Sequence, residues 1–509
     1  MKFTILQSRC VILALAGMLA PFGFSAHAAD WPQWGGSQAK NMVSPETGLP
    51  VEISSGERFA DSENIDPKSA KNCKWVVKVG SEAYGTATIH DGKVVIGTNN
   101  ESPRNEKIIG DRGVVMCFDE QSGEFLWQMT TPKLGAGKVS DWEYLGMCSS
   151  TLLEGKYGYV VTNRGEVVCL DLEGMSDGND GPFEDEGQYM AGPGVEPVEV
   201  GPQDADIVWV YDMRGELGVF PHNITSSSVV AAEGKLFVST SNGVDWSHVN
   251  TPAPQAPCLI ALDIKTGELV GEEGAGIGPN IMHCNWSSPS YADGTVYFGA
   301  GDGILYAFDP NAVADSEGFG ILPVKWKLDG NAPEYRADEN GEPVKYATYD
   351  GPSEIISTPV IVDGKVYTAI GQDPEHGEGV GMLSCADAAT GEVIWTYKDI
   401  NRTISTPSIA DGILYLSDYS GRVHCLDAAT GEVHWVHDTL SHIWGSTVVA
   451  DGKVYVGNED GELTILKAGV ELEEIDVIGF RAPLFSSPVI ANGVLYVQTQ
   501  NQLYAFEKK

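Results

Sequence analysis

The strongest constraint on the fold of this chain is a hairpin pattern that recurs eight times along its 509 residues. In each copy a short apolar run is followed by a two-residue turn with glycine in second place, and then by a second, alternating run. Such turns are typical of β-hairpins, because Gly, Asn and Asp tolerate positive φ. The last three turns lie 40 and 41 residues apart, a spacing that predicts one four-stranded propeller blade per copy. The turns are Asp91-Gly92, Glu154-Gly155, Glu233-Gly234, Asp293-Gly294, Asp363-Gly364, Asp411-Gly412, Asp451-Gly452 and Asn492-Gly493.

The two ends of the propeller are predicted to meet in one blade. The eighth copy stops after its third strand, at LYAFEKK, whereas the fourth strand of most other copies carries a tryptophan. The segment at about 73–80, CKWVVKVG, has this fourth-strand pattern and precedes the first copy. We therefore expect an all-β, eight-bladed propeller of four-stranded antiparallel blades, closed by this N-terminal strand so that no long sheet edge stays open. The tryptophans expected to pack between blades are Trp75, Trp127, Trp209, Trp326, Trp395 and Trp435.

The chain divides into three predicted segments. Residues 1–28 have a positive start, an apolar run and the small-residue site Ala26-His27-Ala28, which together indicate a secretory signal peptide. Residues 29–70 form a lead segment, whose Trp31 and Trp34 are expected to pack against the propeller of residues 71–509. No later apolar stretch is long enough to span a bilayer, and Cys10 precedes the apolar run, so there is no lipobox. We expect an exported protein, periplasmic or extracellular.

Charge and cysteine content exclude one class of partner and leave one question open. With 71 Asp and Glu against 32 Lys and Arg, the net charge is −39, and no basic stripe is present for a nucleic acid. Four cysteines occupy a position where other copies carry Ala, which predicts small, buried free thiols. These are Cys117, Cys169, Cys385 and Cys425. Four others, Cys73, Cys148, Cys258 and Cys284, could pair with one another.

The repeat also resembles a known superfamily. The pattern D-x-x-T-G-x-x-x-W occurs as Asp387-Thr390-Gly391-Trp395 and as Asp427-Thr430-Gly431-Trp435, and is similar to the tryptophan-docking repeat of pyrroloquinoline quinone (PQQ) propellers, a WD40-like repeat. The resemblance covers roughly residues 71–509. It implies the eight-bladed fold but not one function, because the superfamily includes quinoprotein alcohol dehydrogenases and also propellers without cofactor, such as the outer-membrane-assembly scaffold lipoprotein.

Candidate binding residues are predicted on one face of the propeller. The loops between second and third strands are long and variable and share a face with the connections between blades, so this funnel face is the expected site for a ligand. Its His, Arg and aromatic side chains are of types that could bind a planar anionic ligand; solvation of a polar channel mouth is the alternative. The candidates are Glu143, His222, Asn242, Trp246, His283, Asn285, Trp286, Arg402, His442, Trp444 and Arg481.

The dehydrogenase interpretation meets three departures from the family pattern. The loop before Trp246 is similar to the one that places a tryptophan under PQQ, so Trp246 would be the floor of a cofactor site. However, the segment His283-Cys284-Asn285-Trp286 holds no carboxylate where the dehydrogenases carry a catalytic Asp. Adjacent cysteines and a C-x-x-C-H haem motif are also absent from the sequence.

These departures favour a non-catalytic binding or scaffold protein with no catalytic residue and no assigned cofactor. Its partner would be a small molecule or an envelope protein. A PQQ-dependent dehydrogenase of alcohols or sugars, with PQQ and Ca²⁺, stays as the alternative.

One loop contains candidate metal ligands. Asp373, Glu375, His376 and Glu378 lie within six residues, a density of carboxylates and imidazole that metal sites share with ordinary acidic loops.

Overall fold

A computed structural model describes residues 29–509; the predicted signal peptide lies outside the described residues. Eight four-stranded antiparallel units surround a central channel, which confirms the predicted propeller. The strands of blades 1 to 4 are Thr88–His90, Lys93–Asn99, Arg112–Asp119 and Phe125–Pro132; Leu152–Glu154, Tyr157–Val161, Glu166–Asp171 and Asp206–Asp212; Val230–Ala232, Lys235–Ser239, Leu259–Asp263 and Leu269–Glu273; Ser290–Ala292, Thr295–Gly299, Ile304–Phe308 and Val324–Asp329. Those of blades 5 to 8 are Val360–Val362, Lys365–Ala369, Leu383–Asp387 and Val393–Tyr397; Ser408–Ala410, Ile413–Ser417, Arg422–Asp427 and Val433–Asp438; Val448–Ala450, Lys453–Gly457, Glu462–Lys467 and Glu474–Gly479; Val489–Ala491, Val494–Gln498, Gln502–Glu507 and Cys73–Lys78.

The closing strand lies where the sequence predicts it. Cys73–Lys78 pairs antiparallel with Gln502–Glu507, and Trp75 stands opposite Ala505. This pairing covers the free edge of Gln502–Glu507, so blade 8 contains strands from both ends of the propeller. The covered edge can no longer pair with another chain.

Each docking tryptophan bridges two blades. The indole Nε1 of Trp75 donates to the carbonyl of Glu120 in blade 1, and that of Trp127 donates to the carbonyl of Leu172 in blade 2. The rings of all docking tryptophans except Trp435 lie over glycines of the next blade, where no Cβ obstructs them. In blade 3 Gly271 replaces the tryptophan, and two extra strands extend the sheet instead: Val313–Ala314 and Gly320–Leu322.

A ring of hydroxyl side chains joins the inner strands around the channel. Two residues before each inner strand stands a Ser or Thr, and in six of the eight steps a hydroxyl oxygen accepts the backbone N–H of the equivalent residue one blade earlier. The bond from Thr86 N to Ser150 Oγ, at 3.0 Å, is one example. We call this set the hydroxyl ring: Thr86, Ser150, Ser228, Ser288, Thr358, Thr406, Ser446 and Ser487.

The lead segment crosses the channel on the face opposite the funnel and bonds to the inner strand of every blade or to the residue beside it. Trp31 exchanges backbone hydrogen bonds with Ile89 of blade 1, and the Ser44 hydroxyl donates to the carbonyl of Ile490 in blade 8. Residues 32–44 of the lead bond in the same way to blades 2 to 7. Trp31 is buried as predicted, whereas Trp34 reaches into the channel and donates from Nε1 to Thr358 Oγ1. The lead therefore closes one end of the channel.

The remaining elements are short. The two-stranded sheet Glu57–Arg58 and Ile65–Asp66 lies in the lead. Helical turns are Gly137–Val139, Gly174–Ser176, Glu186–Ala191, Met213–Leu217, Gly278–Asn280, Pro333–Arg336 and Pro374–His376. In the part of the chain that the structure describes, no helix has the length and apolar character of a membrane crossing. All eight cysteines of residues 29–509 are buried free thiols, including the four that the sequence left open to pairing.

Candidate functional site

The central channel contains a cavity of about 400 Å³ that opens on the funnel face. Six of the eight residues of the hydroxyl ring line this cavity, together with a second ring that is formed by the residue two positions earlier in each blade. This second position varies, which makes the wall uneven although the scaffold repeats. We call it the variable ring: Tyr84, Cys148, Ser226, Trp286, Ile356, Ile404, Trp444 and Phe485.

Aromatic side chains concentrate on one side of the cavity. Tyr84 stacks on Phe485 with 4.9 Å between ring centroids, and Trp444 lies edge-on to Phe485 at 5.1 Å. Trp286 belongs to the connection into blade 4, and blade 4 lies opposite blade 8 in the propeller. A ligand in the cavity would thus meet flat apolar surfaces on two sides, with Trp34 as its floor.

A cluster of imidazoles stands beside Trp286. The ring centroids of His222 and His283 are 4.4 Å apart, and His248 lies 5.0 Å from the first and 4.9 Å from the second. His376 adds a fourth ring at 5.2 Å from His283. His222 and His283 come from the connections into blades 3 and 4, and the other two come from long second–third loops. We call these four residues the histidine cluster.

Burial keeps the cluster uncharged at neutral pH. It lowers the pKa of His222 to about 3, and it lowers the pKa of His283 and of His376 to about 4. Partial desolvation and the neighbouring His283 also lower the pKa of His248, although its side chain is exposed on one side. Desolvation opposes the imidazolium form, and neighbouring imidazoles would repel a second charge. The cluster therefore presents neutral rings with free lone pairs.

Carboxylates surround the cluster. Glu354 is fully buried, with its Oε1 3.9 Å from His283 Nδ1 and its Oε2 accepting from the Tyr346 hydroxyl at 3.3 Å. Burial raises the pKa of Glu354 well above its usual range. Asp373 accepts from Asn223 Nδ2 at 3.0 Å and lines the cavity together with Glu375. The segment His283–Trp286 itself holds no carboxylate, but the fold brings Glu354 beside His283 from the connection into blade 5.

The structure brings some of the predicted site residues together. His222, His283 and Trp286 are neighbours, and Trp444 lies in the cavity wall. Asn242 and Asn285 are buried and hydrogen-bond within the protein, since Asn285 Nδ2 donates to the carbonyl of Asn242 at 2.7 Å.

Other predicted residues lie outside the cavity wall. Trp246 is 66 % exposed on its loop, and Glu143 is exposed as well. His442 stacks on Tyr419, 4.4 Å between centroids, at the funnel rim.

The two predicted arginines also face away from the cavity. Arg402 is only 1 % exposed, and its guanidinium donates to the carbonyls of Thr348, Tyr349 and His376. Arg481 pairs with Glu57 of the lead. Both cations are therefore engaged within the protein.

The side chains of the acidic loop 373–378 lie in three places. Asp373 and Glu375 line the cavity and His376 joins the histidine cluster, whereas Glu378 faces His442 at 3.8 Å. Among the described residues, the group whose ligand atoms converge is instead His222, His248 and His283, with one nitrogen of each within 4.8 Å of the others.

Sequence analysis missed three features of this site: His248, the aromatic wall residues Tyr84, Trp142 and Phe485, and the hydroxyl ring. The ring had a usable signal, because a Ser or Thr occurs eight times at one position before the inner strand. The only sequence signal for His248 is its position in the long funnel loop 241–257.

Comparison with known proteins supports the fold and names a family. The family profile described as outer membrane protein assembly factor BamB matches residues 111–315 and 326–509. No curated protein sequence matches the chain significantly.

Three solved structures have a similar fold. BamB from Moraxella catarrhalis is 15% identical, with a TM-score of 0.54 over 86% of this chain and 99% of that one. A europium-containing methanol dehydrogenase is 12% identical, with a TM-score of 0.59 over 94% and 98%. Quinohemoprotein alcohol dehydrogenase ADHIIG from Pseudomonas putida HK5 is 12% identical, with a TM-score of 0.57 over 94% and 80%. At these identities the likeness establishes the fold alone.

Proposed function

We propose a function for a chain that belongs to the family described as outer membrane protein assembly factor BamB: it is an exported propeller that binds an uncharged ligand in its central cavity and catalyses no reaction. The observation that carries the proposal is the chemistry of the cavity wall. Aromatic faces and hydroxyl groups line it, together with the carboxylates of Asp373 and Glu375 and without any Lys or Arg. Its volume of about 400 Å³ falls in the range of small-molecule pockets.

The wall suits a ligand with a flat apolar face and hydrogen-bond acceptors at its edge. Trp286 and Trp444 offer indole faces, which contribute large contact areas in a fixed orientation. The Ser150 and Ser228 oxygens already accept a backbone N–H, so their own O–H groups are free to donate into the cavity. Neutral saccharides combine these two properties, and we propose them as the first ligand class.

PQQ does not fit this wall. Its carboxylates need compensating cations, and a buried anion without them is strongly disfavoured. The two carboxylates on the wall would repel it, and the terminal nitrogens Nη1 and Nη2 of Arg402 donate to backbone carbonyls. Trp246, the expected cofactor floor, is exposed outside the cavity. The dehydrogenase alternative is therefore the weaker proposal.

An envelope protein is the second candidate partner. On the funnel loop 241–257, Trp246 is 66 % exposed and Val249 is 80 % exposed, and exposed apolar side chains of this size favour protein contacts. Co-purification with an envelope protein that is lost in a double variant, Trp246→Ser with Val249→Ser, would support this partner. A wild-type chain that captures no more protein than the double variant would contradict it.

The ligand proposal is tested by titration with neutral mono- and disaccharides and, separately, with PQQ plus Ca²⁺. We expect a saccharide to quench tryptophan fluorescence and to bind in calorimetry, with affinity lost in Trp444→Ala. Trp246→Ala is the matched control, because it removes an indole outside the wall, and we expect it to bind normally. Stoichiometric uptake of PQQ, or saccharide binding that survives Trp444→Ala, would contradict the proposal.

Export is part of the same proposal. The apolar run and the small-residue site before residue 29 support it, as does the family. Expression with cell fractionation should place the protein outside the cytoplasm, with Ala29 as the first residue of the mature chain. Cytoplasmic protein that still begins at Met1 would contradict this part.

A further inference from the structure

We infer that His222, His248 and His283 form a binding site for one transition-metal ion, Zn²⁺ or Cu²⁺. The inference goes beyond the proposed cavity ligand, because it rests on different side chains. One ring nitrogen of each histidine lies within 4.8 Å of the others. An ion at the centre of such a triangle would be about 2.8 Å from each nitrogen, and shifts of roughly 0.7 Å per imidazole would reach the usual Zn–N distance of about 2.0–2.1 Å.

Hydrogen bonding already orients one ligand. His222 Nδ1 lies 2.6 Å from the carbonyl oxygen of Val244, so the proton stays on Nδ1 and the lone pair on Nε2. That Nε2 is buried without a hydrogen-bond partner. A second hydrogen bond that fixes the tautomer and ring orientation is the usual support of a metal-binding histidine. A bound ion would satisfy this otherwise unpaired acceptor.

His283 is unpaired in the same way. Both of its ring nitrogens are buried without a partner, as is Oε1 of Glu354 at 3.9 Å from His283 Nδ1. Buried polar groups normally have partners, because leaving one unpaired costs about 1–3 kcal/mol. An ion on Nε2 and a shortened contact between Nδ1 and Glu354 would satisfy all three atoms. This arrangement would be a carboxylate–histidine–metal triad.

The donor set selects the kind of ion. Three neutral imidazoles suit Zn²⁺ and Cu²⁺, whereas Ca²⁺ and Mg²⁺ prefer oxygen. Cys284 is close in sequence, but its Sγ points at the carbonyls of Ser241 at 3.2 Å and of His222 at 3.7 Å, and it is not among the converging ligand atoms. The negative charges of Asp373 and Glu375 act on the cluster and favour a cation there, whereas Arg402, which donates to the His376 carbonyl, opposes it.

The site has an open side. His248 is exposed, and Trp286, in contact with His283, lies in the cavity wall. Three protein ligands leave a fourth position of a tetrahedral ion free for water or another donor. His376 is a fourth imidazole beside the site, with its ring centroid 6.4 Å from that of His248 and 5.2 Å from that of His283.

The test is metal titration of the full-length expressed protein after dialysis against EDTA. We expect Zn²⁺ and Cu²⁺ each to bind at one equivalent per chain in calorimetry, and Co²⁺ to give the visible bands of a tetrahedral nitrogen site. His248→Ala and His283→Gln should each weaken Zn²⁺ binding by at least roughly 100-fold and abolish the Co²⁺ bands. His442→Ala is the matched control, a funnel histidine outside the cluster, and should bind normally.

Thermal melting keeps the test independent of folding defects. His248 is exposed, so its variant should fold, and Zn²⁺ should raise the melting temperature of the wild type but not of His248→Ala. Trp444→Ala, which tests the cavity ligand, should leave metal binding unchanged. Absence of stoichiometric binding, binding that survives both cluster variants, or an equal loss in His442→Ala would overturn the inference.

Discussion

The indole of Trp395 in blade 5 lies directly on the backbone of Gly431 in blade 6. A Cβ at Gly431 would stand 2.7 Å from Cδ2 of the ring, and the Nε1 of Trp395 donates to the carbonyl of Ala428 in the same turn. The same relation holds between Trp326 and Gly391. The glycine of the D-x-x-T-G pattern is thus the contact point through which one blade packs on the next.

Gly431→Ala should therefore destabilise the propeller strongly. Gly431 has a φ of +75°, and the added Cβ would also collide with the Trp395 ring, so we expect a loss of about 3 kcal/mol or more in urea unfolding. Gly412→Ala is the matched control. Its φ is +78° with nothing within 4 Å, so only the backbone cost of about 1 kcal/mol applies. Equal losses in the two variants would show that blade contact contributes nothing.

Asn41 should fix the lead segment to blade 6. Its Nδ2 donates to the carbonyl of Ile409 and its Oδ1 accepts the Ile409 N–H, each at 2.8 Å. Asn41→Asp keeps the shape but sets a carboxylate oxygen against the carbonyl, which should cost about 1–3 kcal/mol. Limited proteolysis should then release the lead faster. Asn280→Asp, which adds the same charge at an exposed position, should leave both measurements unchanged.

Lys40 should make the stability depend on pH in the alkaline range. It is fully buried, and burial lowers its pKa from 10.5 to about 7. Between pH 7 and 10.5 the unfolded chain holds this proton and the folded chain does not, so stability rises with pH, by on the order of 1 kcal/mol per pH unit. Below pH 7 both states are protonated and the penalty of the buried charge is complete.

The measurement for Lys40 is the urea midpoint at pH 7 and pH 9, compared with Lys40→Met. The variant lacks the titrating group, so its midpoint should change less over this range than that of the wild type. The variant also loses the bonds to Gln33 and to the carbonyl of Val229, and this loss should shift the urea midpoint by the same amount at both pH values. Parallel pH profiles of the two proteins would refute a lowered pKa for Lys40.

Arg402 should act as a structural clamp rather than as a ligand cation. Its guanidinium bonds to carbonyls of Thr348, Tyr349 and His376, which lie on two funnel loops. A lysine ammonium lacks the planar fork, so Arg402→Lys should lose about 2 kcal/mol and expose both loops to proteases. Arg481→Lys alters an exposed pair with Glu57 and should change stability by less than about 0.5 kcal/mol. If the two variants lose the same stability, Arg402 is no clamp.

The candidate site was less accessible to sequence analysis than the fold. His222, His283, Trp286 and Trp444 were predicted at the funnel because connections between blades must reach that face, and the structure places them at the cavity or beside it. Trp246 and Arg402 were expected at a ligand, and the structure turns the first outward and buries the second against carbonyls. The direction in which a loop side chain points depends on the neighbouring loops. The sequence of one loop carries no information about those neighbours.

The sequence by itself determined the blades, because a hairpin, its turn glycine and a docking tryptophan are set by residues within about 40 positions of each other. It also determined the closure, since a missing fourth strand leaves an edge that only the segment at Trp75 can cover. Only the tertiary structure decided that the lead segment closes the channel and that His222, His248 and His283 meet. These contacts join residues from separate blades and loops, and they exist because the closed ring brings every connection to one axis.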